Sequence, residues 1–113
     1  VKERSIRYTL RAYTLKIRTD YERYLANGNE GDFLEAMKRE INNFSIYLDR
    51  SKTLSADKTL SYKNFSKMTR QIYNYHTRLK ASAEEKNEMI NFVESKPVTA
   101  REWLLDKISG LPT

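Results

Sequence analysis

Basic residues at helical spacing are the feature of this sequence best suited to bind an anionic ligand. A first row holds Arg4, Arg7, Arg11 and Arg18, separated by steps of three, four and seven residues. Steps of this kind place side chains on one face of an α-helix. Each guanidinium can grip a phosphate or a guanine edge with two hydrogen bonds, and a row of them attracts a polyanion. The spacing therefore predicts a phosphate-binding face.

A second basic row follows in the middle of the chain. It holds Lys63, Lys67 and Arg70, with Lys58 just before it and Arg78 and Lys80 after it. Residues 1–27 carry a net charge of +4 and residues 55–81 a net charge of +5, whereas the other two segments are slightly acidic and bring the total to +6. Because the excess charge is confined to these two segments, we expect an anionic partner.

Tyrosines are interleaved with both rows, and seven of the eight lie in the two basic segments. Four lie on apolar stripes and are predicted to pack in the core: Tyr13, Tyr21, Tyr24 and Tyr75. Tyr8, Tyr62 and Tyr73 fit the stripes less well, and the last two share a line with Thr69, His76 and Lys80. Rings in such positions stack on unpaired bases, or cover core edges with their hydroxyl groups in water.

These patterns together predict one set of nucleic-acid-binding residues. The set comprises Arg4, Arg7, Tyr8, Arg11, Arg18, Lys58, Tyr62, Lys63, Lys67, Arg70, Tyr73, His76, Arg78 and Lys80.

Catalytic and metal chemistry have little support in the sequence. The chain has no cysteine and one histidine, so no disulfide and no His/Cys metal cluster can form. Three glycines are too few for a phosphate-binding loop. The acids Glu84, Glu85 and Glu88 fall in the first turn of a predicted helix, where they complement the helix dipole. We expect no active site, no metal and no cofactor, and binding of a nucleotide by Arg and Tyr pairs is left open.

Helices must position the two rows, because apolar residues recur at steps of three and four in five segments. The first segment runs from about Ser5 to Ala26 and ends at a turn containing Gly28 and Gly31. The second is predicted to begin at Asp32 as N-cap. Its buried stripe is Leu34, Met37, Ile41, Phe44 and Leu48. A polar connection is predicted from Asp49 to about Ser61, with a short turn after Ser55.

Three further helices are predicted after this connection. The third spans about Tyr62 to Lys80, with Phe65, Met68, Ile72, Tyr75 and Leu79 inward. Ser82 opens the fourth helix, which ends before Pro97 because proline disfavours helical geometry in the residue before it. Thr99 is the predicted N-cap of the fifth helix, which Gly110 closes.

The predicted fold is therefore all-α, a single compact bundle of about five helices over residues 1–113. That length suits one domain. The chain starts at Val1 rather than Met and offers no active site, so we expect it to be one domain excised from a larger protein. No run approaches the roughly 18 apolar residues of a membrane span, and a membrane is not an expected partner. The lack of cysteine favours an intracellular, cytoplasmic location.

The favoured function is binding of nucleic acid, DNA in the first place, by a non-catalytic accessory module of a replication or recombination enzyme. The expected partners are DNA, with single-stranded template and RNA both left open, and the other domains of the parent protein. In size and charge the chain resembles the helical accessory domains of primases and the core-binding domain of tyrosine recombinases. Phe44 to Leu48 and the helix start at Thr59–Tyr62 look like the latter. These residues include no diagnostic motif, so the resemblance assigns no family.

Two other functions use the same basic residues. A protein-interaction bundle would bind an acidic partner, and it predicts an exposed apolar patch around Trp103 and Leu105. A peripheral membrane module would bind anionic lipid through Arg4, Arg7 and Arg11. It ranks last because the basic helices carry tyrosine rather than the Trp, Phe and Leu of interfacial helices.

Overall fold

A computed structural model describes residues 2–28, 31–51, 54–77 and 82–112, with side chains from residue 5 onward. The regular structure of these residues consists of five α-helices, and none of the described residues belongs to a β-strand. The helices are α1 (Lys2–Ala26), α2 (Gly31–Arg50), α3 (Ala56–Thr77), α4 (Ala83–Ser95) and α5 (Arg101–Ser109). The prediction of an all-α fold with about five helices is confirmed.

The helices group into two compact units, Val1–Ser55 and Ala56–Thr113. The first unit contains α1 and α2, and the second contains α3, α4 and α5. Each basic row belongs to a different unit, since the arginines lie on α1 and the lysines on α3. That the whole chain is one domain stays a prediction.

In the first unit, α1 and α2 pack as an antiparallel hairpin. The Tyr13 ring lies 5.4 Å from that of Phe44, and Lys16 Nζ lies 3.2 Å from a Glu40 carboxylate oxygen. Residue numbers thus rise along α1 as they fall along α2. The buried apolar residues are Leu10, Ile17, Tyr21 and Tyr24 of α1 and Leu34, Met37, Ile41, Phe44 and Leu48 of α2. After α1, Gly28 adopts a φ of 70°, as predicted for the turn.

The second unit has a core to which all three of its helices contribute. Its buried apolar residues are Phe65, Met68, Ile72, Tyr75, Met89, Val93, Leu104, Ile108 and Leu111. Hydrogen bonds fix the chain around this core. The Asn64 side-chain amide donates to the Pro97 carbonyl at 2.7 Å, and the Thr99 backbone N–H donates to the Ser61 carbonyl at 3.2 Å. Lys86 Nζ donates to the Leu111 carbonyl at 3.0 Å. These bonds hold α3 to the connection between α4 and α5, and α4 to the residues after α5.

Several predicted helix ends differ from those in the structure. The polar connection predicted from Asp49 to Ser61 is too long, because α3 already begins at Ala56. Asp32 lies inside the first turn of α2 and is not its N-cap. Thr99 is not the N-cap of α5; Ala100 takes that place in a left-handed conformation with no side-chain cap.

Two predicted ends of α4 are correct. The Ser82 hydroxyl accepts a hydrogen bond from the Glu85 backbone N–H at 3.1 Å. The helix then ends at Ser95, before Pro97. Gly110 follows α5 as predicted, and its backbone N–H bonds to the Asp106 carbonyl. Leu79, predicted to point inward, lies outside the described residues.

Candidate nucleic-acid interface

The arginine row (Arg4, Arg7, Arg11 and Arg18) lies along one side of α1. Arg7 and Arg11 are exposed, and Arg18 is half-buried. The Arg4 side chain lies outside the described residues, although its backbone belongs to α1. With about 100° of rotation per residue, these positions fall within a narrow sector beside the buried stripe of Leu10, Ile17 and Tyr21. The row is thus turned towards solvent at Arg7 and Arg11, where a backbone phosphate could reach it.

Tyr8 lies next to this row and is the most exposed large aromatic side chain among the described residues, at 67%. It precedes Arg11 by three residues, a spacing that makes two side chains neighbours on a helix. An exposed ring beside the Arg11 guanidinium combines a stacking surface with phosphate-binding charge. Tyr8 is therefore where the structure brings together the two kinds of contact that the sequence predicted.

A groove of about 580 Å³ runs beside Tyr8 between α1 and α2. Its lining residues are Tyr8, Thr9, Ala12, Tyr13 and Lys16 of α1 and Glu40 and Asn43 of α2. The Tyr13 ring is held in place by the Phe44 and Tyr47 rings, at 5.4 and 5.6 Å. Predicted as a core residue, Tyr13 is only half-buried and forms part of the groove wall. Lys16 and Glu40 form an ion pair there, with a well exposed lysine and a largely buried glutamate.

The lysine row (Lys63, Lys67 and Arg70) lies on one side of α3. Lys63 and Lys67 are exposed and Arg70 is half-buried. Lys67 Nζ lies 4.5 Å from the centroid of the Phe92 ring, a cation–π contact that ties it to α4. The predicted outward row is thus present. The ammonium of Lys67, in the middle of the row, already contacts the Phe92 ring of the same unit.

Lys58 does not share the face of the lysine row. Because α3 begins at Ala56, Lys58 is part of the helix, five residues before Lys63. Five residues turn an α-helix by about 140° beyond one full turn, so the two lysines point in different directions. Lys58 is exposed. Arg78 and Lys80, predicted to continue the row, lie outside the described residues.

The line of tyrosines predicted on α3 is less accessible than Tyr8. Tyr62, Tyr73 and His76 are all half-buried, and Thr69 is fully buried. The Thr69 hydroxyl lies 3.0 Å from both the Phe65 and the Ser66 carbonyl oxygens, so it is occupied within its own helix. Burial lowers the pKa of His76, which keeps its imidazole neutral at pH 7. Base stacking by Tyr62 or Tyr73 stays a prediction.

A second pocket, of about 570 Å³, lies between α3 and α4. Its lining residues are Met68, Gln71, Asn74, Tyr75, Glu85, Glu88, Met89 and Phe92. The carboxylates of Glu85 and Glu88 make this pocket acidic, although it adjoins the lysine row at Phe92. The only role predicted for these acids from the sequence was to complement the dipole of the helix in whose first turn they lie. Their position in a pocket depends on how α4 packs on α3, which no local pattern reveals.

The groove residues Lys16, Glu40 and Asn43 were also absent from the predicted set. Lys16 and Glu40 lie 24 residues apart and meet only through the register of the hairpin. In the part of the chain that the structure describes, no three His, Cys, Asp or Glu side chains are grouped so as to hold a metal ion. None of the described helices combines the length and apolar character needed to cross a membrane.

Comparison of the chain with protein-family models, with curated protein sequences and with solved structures finds no match.

Proposed function

We propose that this chain is a nucleic-acid-binding module that holds DNA through the arginine row of α1 and the lysine row of α3. Within a larger protein it would serve as an accessory module of a replication or recombination enzyme. The observation that carries the proposal is the exposed Tyr8 beside the exposed Arg11, which belongs to the same row as the exposed Arg7. Phosphate-binding groups next to a free aromatic face are the combination used to bind single strands.

Single-stranded DNA is the form that this surface favours. An exposed ring can stack only on a base that is not already stacked in a duplex. A helix-turn-helix reader of the major groove would need two short helices joined by a tight turn. The helices that carry the two rows are instead long, at 25 and 22 residues.

The alternative is an acidic protein partner, for which we predicted an exposed apolar patch around Trp103 and Leu105. Trp103 and Leu105 are both half-buried, and the Trp103 ring lies 6.4 Å from that of Phe65. The large apolar side chains that are most exposed among the described residues lie elsewhere, at Tyr8, Leu15, Leu25, Ile46 and Leu60. We therefore place nucleic acid ahead of an acidic protein.

The proposal predicts that the double variant Arg7→Ala/Arg11→Ala binds single-stranded DNA more weakly and with a smaller salt dependence. Each lost phosphate contact on a single strand should reduce the slope of log K against log salt by about 0.7. Fluorescence anisotropy of a labelled oligonucleotide at several salt concentrations measures both quantities.

The matched control is Lys38→Ala/Arg50→Ala, which removes the same charge from exposed positions on α2. A general effect of net charge would alter both double variants alike. If the Arg7/Arg11 variant and the wild type have equal affinity and equal salt slope, α1 is not part of the interface.

A further inference from the structure

We infer that the groove between α1 and α2 binds one unpaired nucleobase, with Tyr8 stacking on its face and Asn43 reading its edge. The inference rests on the proposed function and adds to it a defined base site. The rest of the strand would lie along the arginine row, outside the groove.

Around α1, Tyr8 lies between the rest of the groove and Arg11. This side chain lines the groove and is also three residues from Arg11 on the same helix. A nucleotide whose phosphate lies on Arg11 would therefore have its base within reach of Tyr8. The volume of about 580 Å³ falls within the usual range of small-molecule sites, about 300–1,000 Å³.

The walls of the groove suit a flat aromatic ligand. Tyr13 is fixed by two neighbouring rings, whereas Tyr8 is exposed and can adjust to a bound base. Ala12 lies between the two tyrosines on the same stretch of α1, and its small side chain leaves room for a ring. Base–aromatic stacking is favourable for every base, so these walls provide affinity rather than selectivity.

The α2 side of the groove offers hydrogen bonds to the base. Asn43 is exposed, and its carboxamide carries both a donor and an acceptor. Asparagine pairs with adenine by accepting from N6 and donating to N7. An unpaired thymine presents N3–H and O4 side by side, and these fit the same carboxamide. We therefore expect Asn43 to strengthen the binding of either base.

The charges around the groove favour a nucleotide over an apolar peptide. Glu40 is the carboxylate of the groove, and the ammonium of Lys16 lies 3.2 Å from it and offsets its charge. Arg11, the neighbour of Tyr8 on α1, is exposed. By contrast, the pocket between α3 and α4 contains Glu85 and Glu88, which would repel a phosphate. Compared with that pocket of the described residues, the groove in the first unit is the better fit for a nucleotide.

The test compares the affinities of three oligonucleotides of equal length, about ten nucleotides, which carry deoxyadenosine, thymidine or abasic positions throughout. The phosphates are the same in all three, so a difference in affinity reports contacts with the bases. The wild type should bind the deoxyadenosine strand about 5- to 150-fold more tightly than the abasic strand, the range expected for one stacked base. Tyr8→Ala should shrink that ratio towards one while leaving the salt slope unchanged.

Asn43→Ala should weaken the binding of the deoxyadenosine and thymidine strands and leave the affinity for the abasic strand unaltered. Ile46→Ala is the control, since Ile46 is 49% exposed on α2 and does not line the groove. Circular dichroism of each variant confirms folding. Equal affinity of the wild type for the abasic and deoxyadenosine strands, with a steep salt slope, would overturn the base site and leave the proposed function standing. Failure of all three strands to bind would overturn both.

Discussion

Burial distinguishes the tyrosines of α1 that pack in the core from Tyr8, which is exposed. Tyr21 and Tyr24 of α1 are 1% and 7% exposed, whereas Tyr8 on the same helix is 67% exposed. Helical periodicity predicted this division, because Tyr8 departs from the apolar stripe by a large angle. It did not predict the intermediate position of Tyr13, whose exposure depends on where Phe44 and Tyr47 lie across the hairpin.

Asp20 is a buried acid in the first unit, 7% exposed, and its Oδ2 has no hydrogen-bond partner. Burial raises the pKa of this carboxyl and the nearby Glu40 adds to the rise, while Lys16, Arg23 and Arg39 oppose it. An acid whose folded-state pKa lies above its unfolded value of 3.8 destabilises the fold when it ionises. Its cost is absent below 3.8, grows as pH rises from 3.8 to the folded-state pKa, and is complete above that pKa.

We therefore expect Asp20→Asn to raise the free energy of unfolding at pH 7 by about 1 kcal/mol. The gain should shrink as pH falls towards 4, because the wild-type carboxyl then becomes neutral in the folded state. Urea denaturation at pH 7 and pH 4 measures the difference. A variant less stable than the wild type at pH 7 would show that the Asp20 carboxylate stabilises the hairpin.

At the scale of the helices, the apolar periodicity predicted which residues are buried in the core. It did not predict where each helix begins and ends. All five apolar residues predicted for α2 are buried. The first residues of α3 were missed because Ala56 to Ser61 are polar or exposed and show no apolar period. The start of α5 was misplaced because Ala100 adopts a φ of 59°. The preceding Thr99 backbone is bonded to Ser61 of α3, a tertiary contact that no capping pattern contains.

The cap of α4 offers a direct test of the local physics. Ser82→Ala should destabilise the second unit by about 0.5–2 kcal/mol, because it leaves the Glu85 backbone N–H without its acceptor. Thermal unfolding followed by circular dichroism measures the effect. Ser95→Ala is the control, since that hydroxyl bonds only to carbonyls of its own helix and is exposed. Equal melting temperatures for Ser82→Ala and the wild type would mean that water replaces the cap.

The lysine row of α3 can be tested as an element. Replacing Lys63, Lys67 and Arg70 together with Ala should weaken DNA binding and flatten its salt dependence while the fold persists, since none of the three is buried. Anisotropy titrations at two salt concentrations measure the change in affinity and slope. Unchanged affinity would confine the interface to the first unit. Lys67→Ala alone also removes the contact with Phe92, so its effect on stability should be measured in parallel.

Over the whole molecule, charge and fold class were predictable from the sequence, and the shape of the site was not. The net charge of +6 and its concentration on two helices follow from the order of residues alone. The groove needs the register between α1 and α2, which brings Lys16 beside Glu40. That register is set by burial of the apolar stripes on both helices, so it emerges only when the hairpin is assembled.

The central claim is that the two rows bind a polyanionic strand through its phosphates. The most direct measurement is fluorescence anisotropy of labelled single-stranded and duplex DNA with the wild-type chain, at about 50 and 200 mM salt, with RNA as competitor. Contact with about four phosphates of a single strand predicts a loss of affinity of about 50-fold between these concentrations. We expect this loss, with tighter binding to the single strand than to the duplex. Absence of binding at the lower salt concentration would contradict the claim and turn attention to an acidic protein partner.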